Sequence, residues 1–140
     1  MRFLDTNVII RYLTRDDEAK AAACLDLFER VGRGEEEVTT CEAIITEVAY
    51  ALSSRAHYGL PPDEIRARLA PVVAMRGLRL PNKQLYLRAL DIYAAHPRLD
   101  FEDVLLAAYM ERDGIDELYS YDRDFDQISG VRRIEPSKAV

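Results

Sequence analysis

Asp5, Glu47, Asp103 and Asp122 are the side chains whose type and placement could carry chemistry. Asp5 follows the apolar Arg2-Phe3-Leu4 and precedes Thr6-Asn7, at the point where a strand would give way to a helix. Asp122 stands in Ser120-Tyr121-Asp122-Arg123-Asp124-Phe125, again just past a strand-like stretch, with Asp124 and Asp126 close enough to contribute. Asp103 opens the helical segment LDFEDVLLAAYM, and Glu47 lies at the edge of an apolar helical stripe. Carboxylates brought together without a counter-ion repel one another and raise each other's pKa. A hard divalent cation removes that cost, since oxygen ligands suit Mg²⁺. Such a cation lowers the pKa of a bound water and stabilises in-line displacement at phosphorus.

Each residue also has a purely structural reading. Asp5 can cap a helix or make a turn. Glu47 can be a solvated stripe-edge glutamate, and Asp122, Asp124 and Asp126 can be turn residues. Asp100 and Asp103 have the spacing of a capping box, favoured by the helix dipole. His57 and His96 read as surface or helix-end residues, and the absence of a His- or Cys-rich set argues against structural zinc. Cys24 and Cys41 have no framework spacing and are expected to be structural thiols in a reducing compartment.

The elements that would position these groups alternate between strand and helix. Short strands are expected at the N-terminus, at Val38–Cys41, at Leu78–Leu80, at Leu118–Tyr121 and at Val131–Ile134. After a short helical turn, one helix should start around Thr14–Asp17 and run to about Arg33, with Gly32 and Gly34 supplying the stop. Another should run from Glu42 or Ala43 to about Tyr58, stopped by Gly59. A helix opened by Pro61-Pro62-Asp63 should close at Gly77. Asn82 should cap Lys83–Ala95, and Asp100 should begin a helix to about Asp113. This order predicts an α/β fold over residues 1–140, with a mostly parallel central sheet flanked by helices in three α/β/α layers. Ligands bind at the carboxyl ends of such strands, which is where Asp5 and Asp122 would lie.

The chain of 140 residues is 49% apolar and 31% charged, an ordinary globular composition. Its formal net charge of −6 does not suit a general nucleic-acid coat, which carries a basic face. It permits a nucleic-acid enzyme if phosphate repulsion is cancelled locally, by metal ions or by arginines such as Arg11, Arg15 and Arg123. No apolar run reaches membrane-spanning length, so no membrane partner and a cytoplasmic location are expected.

The segments LDTNVII, ITEVAYAL, DFEDVLLAAYM and YSYDRDFDQISGVRRIEP together resemble the PIN-domain ribonucleases of the VapC type, the toxin half of a toxin–antitoxin pair. They follow that family's order across nearly the whole chain. The resemblance implies that Asp5, Glu47, Asp103 and Asp122 form an acidic quartet that binds Mg²⁺ or Mn²⁺, with Asp5 and Asp103 the principal ligands. It implies supporting roles for Asn7 and Ser120, the latter where relatives usually carry Thr. It further implies metal-dependent hydrolysis of RNA, homodimerisation, and a cognate antitoxin that wraps the toxin. A phosphotransfer enzyme with a strand-end Asp nucleophile fits less well, because haloacid-dehalogenase-type sites want a second Asp where Asn7 stands. A receiver-type site wants a late strand-end Lys, and Lys138 is too near the end. The remaining alternative is a catalytically inactive fold that binds a partner or RNA.

Overall fold

In a computed structural model, residues 1–139 are described. The architecture is α/β, with six α-helices in α/β/α arrangement about parallel strands. In chain order the elements are β1 (Arg2–Phe3), α1 (Thr6–Thr14), α2 (Glu18–Arg33), β2 (Val38–Thr39), α3 (Glu42–Ser53) and α4 (Pro62–Val73). There follow β3 (Leu78–Arg79), α5 (Lys83–Ala95), α6 (Phe101–Asp113), β4 (Glu117–Tyr119), a 3₁₀ turn (Arg123–Gln127) and β5 (Arg132–Ile134).

Every described strand pair is parallel, as the alternating sequence pattern predicts, but the ladders fall into two patches: β1-β2-β3 and β4-β5. Arg2 pairs with Val38, which pairs with Leu78; Glu117 pairs with Arg132 and Tyr119 with Ile134. Polar contacts extend the β1–β2 ladder past its last paired residue. The Leu4 N–H donates to the Thr39 carbonyl at 2.8 Å, and the buried Thr40 hydroxyl donates to the Leu4 carbonyl at 3.0 Å. Leu4 is itself buried, so the backbone entering Asp5 is tied to the β2 segment through both its N–H and its carbonyl.

One apolar cluster runs through the protein, from Ile9 and Phe28 through Ile45, Leu52, Ile65 and Leu69 to Leu90, Val104 and Phe125. The α4–α5 and α5–α6 pairs are the most extensively packed, and α3 touches both α1 and α6. Gly77 locks α2 to the strands. Its N–H donates to the Val31 carbonyl at 2.8 Å, and its carbonyl accepts from Val38 at 2.9 Å. A Cβ at this position would lie 2.2 Å from the Glu36 carbonyl oxygen and 2.6 Å from that of Val31. No side chain fits without moving backbone.

Several boundaries differ from the sequence expectation, each for a local reason. The short turn after β1 is a nine-residue helix, closed by Arg15 at φ 55°, and α2 starts only at Glu18, where the Asp17 carboxylate accepts from the Lys20 N–H. Helix α3 stops at Ser53, five residues short of Tyr58, so Gly59 does not end it. The Leu52 carbonyl accepts from Leu60 instead of continuing the helix, and Gly59 bonds back to Ser54. Helix α4 ends at Val73 rather than at Gly77, two residues after Pro71, whose ring nitrogen can donate no helical bond. Asn82 precedes α5 at φ 65° without a side-chain cap bond, and Asp100 makes none either. Cys41 is exposed and Cys24 half-buried. Only Cys24 therefore matches the packed thiol expected, and burial pushes its pKa up. No helix among the described residues is long and apolar enough to cross a membrane.

Candidate metal centre

Asp103 occupies the first turn of α6, three residues after Asp100. A capping box would spend its carboxylate on the Asp100 N–H. Instead the cap is made by backbone alone, the Asp100 carbonyl accepting from Asp103 at 3.2 Å and from Val104 at 3.3 Å. The Asp103 side chain is half-buried and meets no hydrogen-bond donor among the described residues. It faces other acids. Carboxylate oxygens of Asp103, Asp122 and Asp124 all lie within 4.8 Å of one another. Burial, and then the charges of Asp122, Asp100, Asp124 and Glu102, push the Asp103 carboxyl above its ordinary range.

Asp122 is set by the end of β4. Its N–H donates to the Ser120 hydroxyl at 2.9 Å, and its carboxylate accepts from the Asp124 N–H at 2.9 Å, opening the 3₁₀ turn. The Arg133 guanidinium grips the other side of this bend, donating to the Ser120 carbonyl at 3.1 Å while paired with Asp126 and Glu135. Ser120 thus supports Asp122 through the backbone. Asp126 is paired with Arg133, while Asp124 forms no ion pair among the described residues and joins the group.

Asp5 and Glu47 stand beside one another through Thr6. The Asp5 carboxylate caps α1 by accepting from the Thr6 N–H at 2.8 Å, and the Thr6 hydroxyl donates to Glu47 at 2.8 Å. Both carboxylates are exposed, and neither belongs to the close group formed by Asp103, Asp122 and Asp124 among the described residues. Asn7 is exposed and lines a shallow cavity with Arg11, Lys20 and Cys24; among the described residues its side chain bonds to none of the carboxylates.

The candidate phosphate-binding arginines have separate positions. Arg11 is engaged with Asp16 at 2.9 Å. Arg15 sits exposed at the left-handed end of α1. Arg123 follows Asp122 directly and forms no ion pair among the described residues. His96 bonds the Ile92 carbonyl at 2.9 Å at the end of α5, a helix-end role as its sequence position predicts. One contributor was not singled out in the sequence, Thr6, which orients Glu47; Asp124 was left open there beside Asp126, and the turn geometry brings it into the group. The only sequence signal for Thr6 was its place between Asp5 and Asn7.

Residues 2–131 match the family model described as PIN domain. The chain belongs to the PIN domain family. PIN domains are generally nucleases that use divalent metal ions. No curated protein matches this PIN domain with significance. The donor set fits the group such a fold uses: the clustered ligands are all carboxylate oxygens, one of them half-buried and without a protein donor. That chemistry suits a hard divalent cation and lacks the nitrogen or sulfur that zinc prefers.

Proposed function

We propose that this PIN domain is a metal-dependent endoribonuclease and the toxin half of a type II toxin–antitoxin pair. The observation that carries the nuclease reading is the group of Asp103, Asp122 and Asp124, one oxygen of each lying within 4.8 Å of the others, with no ion pair to any of the three among the described residues. Asp103 and Asp122 would hold Mg²⁺, or Mn²⁺, with Asp124 at the rim and Asp5 and Glu47 completing the acidic quartet. The ion, when bound, supplies a water of lowered pKa and neutralises the charge that builds on the phosphate.

The chain's own residues do the positioning. Ser120 and Arg133 fix the bend that carries Asp122, and Thr6 holds Glu47 beside the cap made by Asp5. Such supporting bonds keep ligand oxygens in register and are costly to lose. Hydrolysis adds water oxygen to phosphorus and breaks one phosphorus–oxygen bond to sugar, leaving one phosphate end and one hydroxyl end. Toxin identity, a homodimer and a cognate antitoxin rest on the four sequence segments that resemble VapC-type proteins.

Incubation of a mixed structured and unstructured RNA pool with Mg²⁺, with Mn²⁺ and with chelator tests the reading. Cleavage that requires both metal and Asp103 is expected, with Asp103→Asn protein excluding a contaminating ribonuclease. Folded protein that neither cleaves RNA nor binds divalent metal by calorimetry would sink the nuclease reading and leave a binding-only fold. Toxicity on expression, and its relief by the protein encoded alongside, tests the toxin assignment separately.

A further inference from the structure

The chain has eight tyrosines and four phenylalanines. Most are placed as the hydrophobic effect dictates: Phe28, Tyr86, Tyr93, Phe101 and Phe125 are buried, and Tyr12, Tyr58 and Tyr109 half-buried. Four break the rule. Phe3, Tyr50, Tyr119 and Tyr121 are 67%, 67%, 73% and 70% exposed. Each stands within three residues of a candidate carboxylate: Phe3 before Asp5, Tyr50 one helical turn after Glu47, and Tyr119 and Tyr121 before Asp122. Exposed aromatic surface thus follows the acidic residues across three elements, β1, α3 and the end of β4.

Two of these aromatics neighbour metal-centre residues from different elements. Tyr50 lines the cavity, about 190 Å³, that also contains Asp103, and the adjoining groove of about 920 Å³ that contains Glu47. Tyr121 immediately precedes Asp122. The Ser120 N–H still bonds the Ile134 carbonyl, so the β4 ladder reaches Ser120. Tyr119 ends β4 and Tyr121 stands in the bend just after Ser120, so the two flank Ser120 on the approach to Asp122.

We infer that Tyr50, Tyr119 and Tyr121 are base-stacking positions that seat the unpaired nucleotides flanking the phosphate to be cleaved. This deepens the nuclease reading and rests on it. A chain of net charge −6, with Arg11 already paired to Asp16, has little positive charge to spare for the phosphate contacts that usually carry nucleic-acid affinity. Aromatic faces bind bases without requiring positive charge, and they accept any sequence because every base has a π-face. Stacking needs bases free of a helix, so the surface selects unpaired strand over duplex. The exposed aromatics stand beside the carboxylates, where a strand held for cleavage has to lie.

The test is binding, read apart from cleavage. In Asp103→Asn protein, anisotropy of a fluorescein-labelled, mixed-sequence single-stranded RNA of about 20 nucleotides should give roughly tenfold weaker affinity for Tyr121→Ala and for Tyr50→Ala. Tyr121→Phe should retain affinity, and the slope of log affinity against log salt should stay unchanged, because the lost contact is not ionic. The chain has no tryptophan, so Tyr121→Trp provides a single reporter whose emission should be quenched by the strand and not by a matching strand of abasic sites. With Asp103 intact, Tyr121→Ala should raise KM about tenfold and leave kcat within about twofold. Unchanged affinity in the alanine variants, an unquenched reporter, or failure of the parent protein to bind the strand overturns the inference. So does a change of oligomeric state by light scattering in Tyr50→Ala or Tyr121→Ala without a change in RNA affinity, which would make the tyrosines a protein interface. RNA binding through the tyrosines without Asp103-dependent cleavage would instead overturn the nuclease reading and leave the stacking surface standing.

Discussion

Glu42 and Asp103 are both acids in the first turn of a helix, one on α3 and one on α6, and their surroundings differ in kind. Glu42 accepts from the Tyr109 hydroxyl and, at 3.4 Å, from that of Tyr86. Burial and the Glu42 charge push the Tyr86 phenol up to about 12, which keeps it a donor at any physiological pH. Among the described residues the charges that act on Asp103 are those of other acids, and its carboxylate accepts no hydrogen bond. A carboxylate supplied with donors contributes to the fold, whereas one gathered with its own kind costs stability until a cation arrives. The contrast separates what holds this PIN domain together from what it is proposed to act with.

The largest expected effect is on activity. Asp103→Asn should lower RNA cleavage by at least about 10³-fold, yet it should raise the thermal midpoint of metal-free protein by about 1–3 °C by removing like-charge repulsion. A fall in the midpoint would mean that Asp103 is a structural acid like Glu42. Next, saturating Mg²⁺, at about 100 times its dissociation constant, should stabilise the wild type by about 2.7 kcal/mol and the Asp103→Asn protein by much less. Equal stabilisation of both by urea titration would place the ion elsewhere.

Removing the other acid should do the reverse. Glu42→Ala deprives two phenols of their acceptor and should destabilise by about 1–3 kcal/mol with cleavage per folded molecule unchanged.

The smallest effect is in pH dependence. Because the Asp103 pKa is raised on folding, the native state binds that proton more tightly than the unfolded chain does. The stability this provides is complete below the ordinary carboxylate range and lost as pH rises through the raised value. The difference in urea midpoint between Asp103→Asn and wild type, both metal-free, should therefore grow in favour of the variant as pH increases through that range. A difference that stays flat would show that Asp103 has ordinary surroundings.

Much of this was legible along the chain because it is local. Gly34 and Gly114 end α2 and α6 in left-handed conformation, as their positions after periodic apolar segments predict. The strands lie where short β-prone runs predict them, though reduced to two or three residues. The helix ends that diverged depend on contacts distant in sequence. Helix α3 stops early as Leu60 folds back onto Leu52, with Tyr58 donating to Asp16 at 2.7 Å. The site divides in the same way. Asp103 and Asp122 stand out by their places at a helix start and after a strand, while the turn after Asp122 brings Asp124 into the group and Arg133 engages Asp126.

By itself the sequence determined the α/β order, the family and the acids available, because strand, helix and cap preferences act over a few residues and the motif segments are local. Tertiary structure decided which acids meet. Like charges 19 residues apart, at Asp103 and Asp122, come within 4.8 Å only because α6 and the end of β4 are held by the packed core, whose burial outweighs their repulsion.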